Sequence, residues 1–269
     1  MNEGPLPFFA PGNDPGPSFV DVLRRMSPNE PSSAHAGDMA GLDPVIATTV
    51  VAIRVEGGVV LAGDRRATAG MMIASRRIEK VFPADDFSGI AIAGAAGPSI
   101  ELVRLFQTQL EHYEKIEGET LSLEGKANQL AGLVRANLPA AMQGLVVVPL
   151  FAGYDDRQQR GRVYSYDVTG GKYEETDFQA QGSGGVHARN WIKATWREGM
   201  SRDDGVDLAL RSLFAAADED AATGGPDIVR RIFPTVAVID GTGYASVADD
   251  EIAGRAEQLL GGREEGAGL

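Results

Sequence analysis

Apolar residues recur along this chain in two rhythms, one of period two and one of three to four. Thr48 to Val55 is rich in β-branched and apolar residues, Glu56-Gly57-Gly58 reads as a turn, and Val59 to Ala62 is a short apolar run. That order predicts a β-hairpin. Phe87 to Gly94 reads as a further strand whose Ala-Gly-Ala-Ala-Gly end permits close backbone approach. Ile100, Val103, Phe106, Leu110 and Tyr113 then fall at helical spacing behind Pro98. A second amphipathic helix is expected over about Leu123 to Met142, with Pro139 bending its last turn.

The second half repeats the order. Leu145 to Tyr154, Arg162 to Tyr166 and Lys172 to Gln181 predict three strands, the first so uniformly apolar that both its faces should be covered. Gly170-Gly171 should close the hairpin between the other two. Helices are expected at Val186 to Glu198 and Ser201 to Ala217, a late strand at Ile232 to Ile239 and a short helix at Ile252 to Leu260. Strands and helices thus come in blocks, not in βαβ alternation. Such blocks predict an α+β fold with antiparallel sheets.

Composition adds a leader. Residues 1 to 47 hold eight of the fourteen prolines, interspersed with Gly, Ser, Asn and Asp, and cannot bury enough apolar surface to order themselves. Phe19 to Arg25 could form one or two turns of amphipathic helix, unstable in isolation. No basic segment followed by an apolar core stands near Met1, which argues against a secretory signal. The expected division is a leader at 1–47, a domain at 48–262 and a frayed tail at 263–269.

Charge and residue inventory then exclude partners. A net charge of −13 argues against nucleic acid or an anionic membrane, and no apolar run reaches bilayer length. The absence of cysteine removes any disulfide framework and suits a reducing cytoplasm. His35, His112 and His187 are the only histidines, and none has metal-ligand spacing.

The hairpin carries the candidate chemistry. Folding about residue 56 or 57 returns Asp64 to the neighbourhood of Thr48, and a second reversal near Gly70 to Met72 returns Lys80 towards Asp64. A hydroxyl, a carboxylate and an ammonium would then share one end of a small sheet, which is a nucleophile with the means to activate it. If the Ala47–Thr48 bond is cut, Thr48 gains an α-amine, whose pKa near ~8 lets it act as the base.

These residues resemble a known family. TTVVAIRVEGGVVLAGDRRAT at Thr48 to Thr68, Lys80 downstream, and IAIAGAAG at Ile90 to Gly97 look like the start of a mature proteasome β-subunit of the actinobacterial type. The likeness covers about Thr48 to Ile252. It implies a four-layer αββα sandwich, the fold of N-terminal-nucleophile hydrolases, and a threonine endopeptidase made as a precursor. Position by position it implies Thr48, Asp64 and Lys80 as the catalytic set. Gly182-Ser183-Gly184 and Asp220-Ala221-Ala222-Thr223-Gly224-Gly225 match two later motifs, so Ser183, Asp220 and Thr223 are supporting expectations.

The same matching implies the Gly94 N–H as oxyanion donor. Thr68 and Ala96 would flank an extended peptide, and Ala67, Ile78, Ile92, Ala96 and Ile100 would line an apolar specificity pocket. The expected partners are proteasome α-subunits, further β-subunits in heptameric rings, an activating ATPase and unfolded polypeptides, with no metal or organic cofactor. The chain departs from the family's pattern at Ala47, where glycine usually precedes the threonine, and at Thr223, where serine often stands and the hydroxyl is retained. Thr49 is the alternative nucleophile. A non-catalytic ring subunit and an N-terminal-nucleophile amidohydrolase acting on a small molecule are the alternative functions.

Overall fold

A computed structural model describes residues 46, 47 and 49–266. The leader through residue 45, including the short helix expected at Phe19 to Arg25, lies outside the described residues, as do Thr48 and residues 267–269.

The expected hairpin forms. β1 is Ile46–Ala47, β2 Thr49–Val55 and β3 Gly58–Gly63. β2 and β3 pair in antiparallel register, Val50 opposite Gly63, around a turn at Glu56 and Gly57. A second hairpin follows, β4 Ala67–Ala69 with β5 Met72–Ser75, then β6 Val81–Asp85 and β7 Ser88–Ala95. Helices α1 Ala96–Glu117, α2 Leu123–Ala136 and the short α3 Leu138–Ala141 come next. Ser122 caps α2, its hydroxyl accepting from the Gly125 N–H. The single helix expected over 123 to 142 is therefore two, broken at Asn137, because Pro139 cannot continue the hydrogen-bond ladder and disfavours helical backbone just before it.

Strands β8 Val147–Asp155, β9 Arg160–Tyr166, β10 Lys172–Glu175 and β11 Phe178–Gly182 precede helices α4 Gly185–Thr195 and α5 Arg202–Glu219. The chain closes with β12 Thr235–Asp240, β13 Gly243–Ser246 and α6 Asp249–Gly266. One sheet has eight strands, with β10-β9-β8-β7-β1-β4-β5 in order and β6 also on β7. The other has five, ordered β11-β2-β3-β12-β13.

Alternation of side chains explains the layers. In β2, Val50 and Ala52 enter the core between the sheets, while Val51 and Ile53 face the helical layer of α4, α5 and α6. In β7, Ala91 and Ala93 face the inter-sheet core and Ile90 and Ile92 the layer of α1 and α2. Period two thus divides one continuous apolar run between two cores, and each fully buried large apolar side chain contributes roughly 1.5–3 kcal/mol. Two helices, two sheets and a second helical group make the α+β, four-layer αββα sandwich that the blocks and the resemblance implied.

Some expectations need correction. The strand expected over Lys172 to Gln181 is two, β10 in the eight-stranded sheet and β11 in the five-stranded one, with Thr176 and Asp177 carrying the chain across. A mostly polar run with apolar residues at Tyr173, Phe178 and Ala180 does not reveal a change of sheet. β6 and β13 were not foreseen; Pro83 obscures the first and four residues of mixed polarity the second. On α1 the inward positions are Ser99, Leu102, Val103, Phe106 and Leu110, while Ile100 points outward. The final helix continues to Gly266, through most of the expected tail.

Candidate active site

Asp64, Lys80, Ser183, Asp220 and Thr223 gather at one end of the two sheets. β1 belongs to the eight-stranded sheet and β2 to the five-stranded one, so the chain crosses between sheets from Ala47 to Thr49. On the near side, Ile46 and Ala47 run between β4 and β7: Ala47 lies opposite Ala67 and Gly94, and Ile46 opposite Thr68 and Ala95. On the far side, the Thr49 N–H donates to Asp64 Oδ1 at 3.0 Å, and the Asp64 N–H donates back to the Thr49 carbonyl at 3.1 Å.

Asp64 is the centre of this end. Its Oδ1 also accepts from Lys80 Nζ at 2.5 Å, and its Oδ2 accepts the N–H groups of Arg66 at 2.8 Å and Gly224 at 2.7 Å. Both ionised side chains are essentially sealed, 0% exposed for Asp64 and 1% for Lys80. Removing two charges from water costs several kcal/mol per ion unless the remaining lone pairs are satisfied. Three backbone donors satisfy them here, Arg66 from two residues away and Thr49 and Gly224 from distant parts of the chain. Burial pushes the Lys80 ammonium below its ordinary pKa, and the adjacent Asp64 carboxylate offsets part of that shift.

A second chain of hydrogen bonds abuts the first. Ser183 Oγ at 2.5 Å and Thr223 Oγ1 at 2.6 Å both donate to Asp220 Oδ2. Thr223 has one hydroxyl proton and spends it on that carboxylate, so the 2.5 Å contact between Thr49 Oγ1 and Thr223 Oγ1 has Thr49 as donor. Burial raises the Asp220 pKa, but hydrogen bonds from Ser183, Thr223 and the Ala222 N–H outweigh it and hold the carboxyl below its ordinary value. Gly184, at the N-terminus of α4, permits the contact: a Cβ there would lie 2.5 Å from both threonine hydroxyl oxygens.

Thr49, the alternative nucleophile, is thus fully buried with its hydroxyl committed to Thr223. Gly94 is the last residue but one of β7, at φ +125, and a Cβ would lie 2.1 Å from the Val146 carbonyl oxygen; the next N–H, that of Ala95, donates to that oxygen at 2.7 Å. Only glycine fits this strand end.

The expected pocket residues divide. Ala67 is buried, Thr68, Ile78 and Ala96 are half-buried and Ile100 is exposed, while Ile92 packs into the core beneath α1 and α2. Backbone bonds tie the set to the ion pair: the Ile78 N–H donates to Arg65 O and the Ile92 N–H to Lys80 O. The residue across from Ile46 is Ala95, with Ala96 already the first residue of α1. Sequence reasoning missed the Arg66 and Gly224 amides on Asp64, for which no side-chain signal exists.

An αββα sandwich with a sealed lysine–aspartate pair beside a strand slot has the form of an N-terminal-nucleophile hydrolase. Comparison agrees. The family model described as proteasome subunit matches residues 45–231. The chain is 55% identical to a proteasome subunit beta of Acidimicrobium ferrooxidans over 265 residues, covering 97% of this chain and 96% of the relative. Similar chains from Acidothermus cellulolyticus and Streptomyces griseus, also proteasome subunit beta, are 51% and 50% identical, over 96% and 95% of this chain and 90% and 91% of theirs. The chain belongs to the proteasome subunit family, as a β-type subunit with threonine-type endopeptidase activity.

Proposed function

We propose that the chain is made as a precursor, cuts itself between Ala47 and Thr48, and then hydrolyses peptide bonds with Thr48 as nucleophile. The observation that carries the reading is β1. Ile46–Ala47 is an added strand between β4 and β7 that ends opposite Gly94, and two residues later Thr49 is tied to the Asp64–Lys80 pair. A main-chain ladder is how an extended peptide docks on a sheet edge. The leader's last residues therefore stand where the acyl half of a substrate would stand.

Self-cleavage begins with attack of the Thr48 hydroxyl oxygen on the Ala47 carbonyl carbon. The Gly94 N–H receives the negative charge that develops on the carbonyl oxygen. Breaking the Ala47–Thr48 C–N bond leaves an ester on Thr48 and a free α-amine, and water hydrolyses the ester to release residues 1–47. Thereafter the α-amine takes the hydroxyl proton, the oxygen attacks the scissile carbonyl, and the proton passes to the leaving amine. Water, deprotonated by the same amine, clears the acyl-enzyme. Lys80 lowers the pKa of the hydroxyl, Asp64 holds Lys80, and Ser183, Asp220 and Thr223 orient the amine side of the site.

Of the expected pocket residues, Ala67, Ile78 and Ala96 are apolar and stand nearest the β1 slot, and they favour cleavage after bulky apolar residues. Ile92, beneath them in the core, and Ile100, on the outer face of α1, are the weaker members of the set. Family membership supports assembly with α-subunits in a proteasome core. Heptameric β rings, an ATPase activator, unfolded polypeptide substrates and a cytoplasmic location complete the reading. Among the described residues no helix is long and apolar enough to cross a membrane.

Intact-mass analysis of the assembled particle tests the proposal. The wild type should lose residues 1–47, while Thr48→Ala should keep them and lack peptidase activity. A full-length active wild type, or an active Thr48→Ala, would overturn it. A fluorogenic peptide panel with fastest turnover after Lys or Glu would overturn the specificity alone.

A further inference from the structure

Arginine is concentrated behind the Asp64 cradle. Arg65, Arg66, Arg76 and Arg77 come from the β4–β5 region and Arg230 and Arg231 from the turn before β12, in a chain whose net charge is −13. Arg77 Nη2 joins the two segments by donating to the Arg230 carbonyl at 3.2 Å. Between them opens a cavity of about 30 Å³ lined by the first three arginines, Gly224, Gly225 and Asp227, with an apolar wall from residues 232–234. One water-sized atom needs roughly 10–15 Å³, so the space accepts one or two.

Its donors outnumber its acceptors. Arg65 Nε is buried and has no hydrogen-bond partner among the described residues, although the same guanidinium reaches Glu79 through Nη2. Arg66 donates from Nη1 to the Ala221 carbonyl at 2.8 Å. Arg76 lines the cavity and acts on Asp227 through its charge alone, with no hydrogen bond to a described residue. The one acid in the lining, Asp227, already accepts the Arg230 N–H and the Arg230 guanidinium, both at 2.9 Å. Planar guanidinium groups arranged in this way match the paired oxygens of a carboxylate or phosphate.

We propose that this cavity is an oxyanion site, taking a carboxylate or phosphate edge between Arg65, Arg66 and Arg76. Its floor is shared with the active site, since the Gly224 and Arg66 amides both donate to Asp64 Oδ2. An occupant steadies those two amides and, through them, the carboxylate that holds Lys80. The oxyanion has two sources, a free anion or an Asp or Glu of a neighbouring copy.

Crystals of the assembled particle soaked in bromide separate the sources, and binding is read without reference to peptidase activity. An anomalous peak within reach of Arg65 Nε and Arg76 that disappears in Arg76→Gln identifies a free-anion site. A neighbour's carboxylate seated between the guanidinium groups, with bromide excluded, identifies the subunit source. Where the free anion binds, acetate affinity by thermal shift at constant ionic strength should fall at least tenfold in Arg76→Gln and less in Arg76→Lys. No occupant of either kind, or a bromide peak indifferent to Arg76→Gln, overturns the proposal.

Discussion

Two buried or largely buried lysine–aspartate pairs, each 2.5 Å long, are set into this molecule, and they are built differently. Lys126 on α2 meets Asp85 at the end of β6, with side chains 8% and 22% exposed. The remaining partners of Asp85 are local: the Phe87 N–H two residues on and the Ser88 hydroxyl three residues on. Asp64 instead accepts amides from Thr49, 15 residues back, and Gly224, 160 residues on. A locally satisfied pair fastens a helix to a turn. A pair satisfied from across the chain is complete only once the distant elements have packed, and it is the pair that the proposed mechanism uses.

The largest expected contrast comes from removing each cation. Lys80→Met leaves the Asp64 charge sealed without its counter-ion, which should cost about 3–5 kcal/mol and reduce peptidase activity by at least ~10²-fold. Lys126→Met leaves Asp85 with partial access to water and should cost about 1–2 kcal/mol, with activity within a few-fold of wild type. Chemical denaturation with a peptide assay on both variants decides it. Equal losses in the two would dissolve the distinction.

Next comes the wiring around the Asp64 pair. Gly184→Ala forces a methyl between the hydroxyls of Thr49 and Thr223, and overpacking of this kind costs roughly 1–3 kcal/mol. Thr49→Val removes the hydroxyl donor to Thr223 and should cost about 1 kcal/mol while leaving self-cleavage in place. Intact mass reports the cleavage; a Thr49→Val particle that keeps its leader would make Thr49 the nucleophile.

Acid gives the smallest effect and the widest spread. Around Arg162, burial raises the Asp155 pKa, but the guanidinium and backbone donors hold it lower; the Arg162 fork likewise lowers Glu174. Asp220 is also lowered. A carboxyl whose folded pKa is depressed contributes stability that is complete above its unfolded pKa and lost as pH falls through its folded one. These partly exposed groups therefore leave stability flat above the ordinary values of 3.8 and 4.5 and erode it below them. Screening by solvent keeps each contribution small. Thermal midpoints from pH 6 downward measure the sum, and Arg162→Met should flatten the acid limb.

Much of this was legible because it is local. The turn at Glu56–Gly57 and the apolar runs beside it set a register that returns Asp64 to Thr49, and a second short reversal brings Lys80 within reach. Glycine motifs marked Gly94 and Gly184 because a backbone that excludes Cβ restricts the residue itself. The change of sheet at Thr176 and Asp177 was illegible, since nothing in the run itself names β9 as the partner of β10 and β2 as the partner of β11. So was the break between β1 and β2, which lies inside one apolar run.

The sequence by itself determined which residues are apolar at period two, where the chain reverses, and which hydroxyl, carboxylate and ammonium are available to react. Only the tertiary structure decided that Asp64 is held by the amides of Arg66 and Gly224, that Thr49 donates to Thr223, and that Ile46–Ala47 lies between β4 and β7. The reason is physical. Backbone N–H groups are alike in every residue but proline, so where they point is set by the packing of distant elements and is written in no single stretch of side chains.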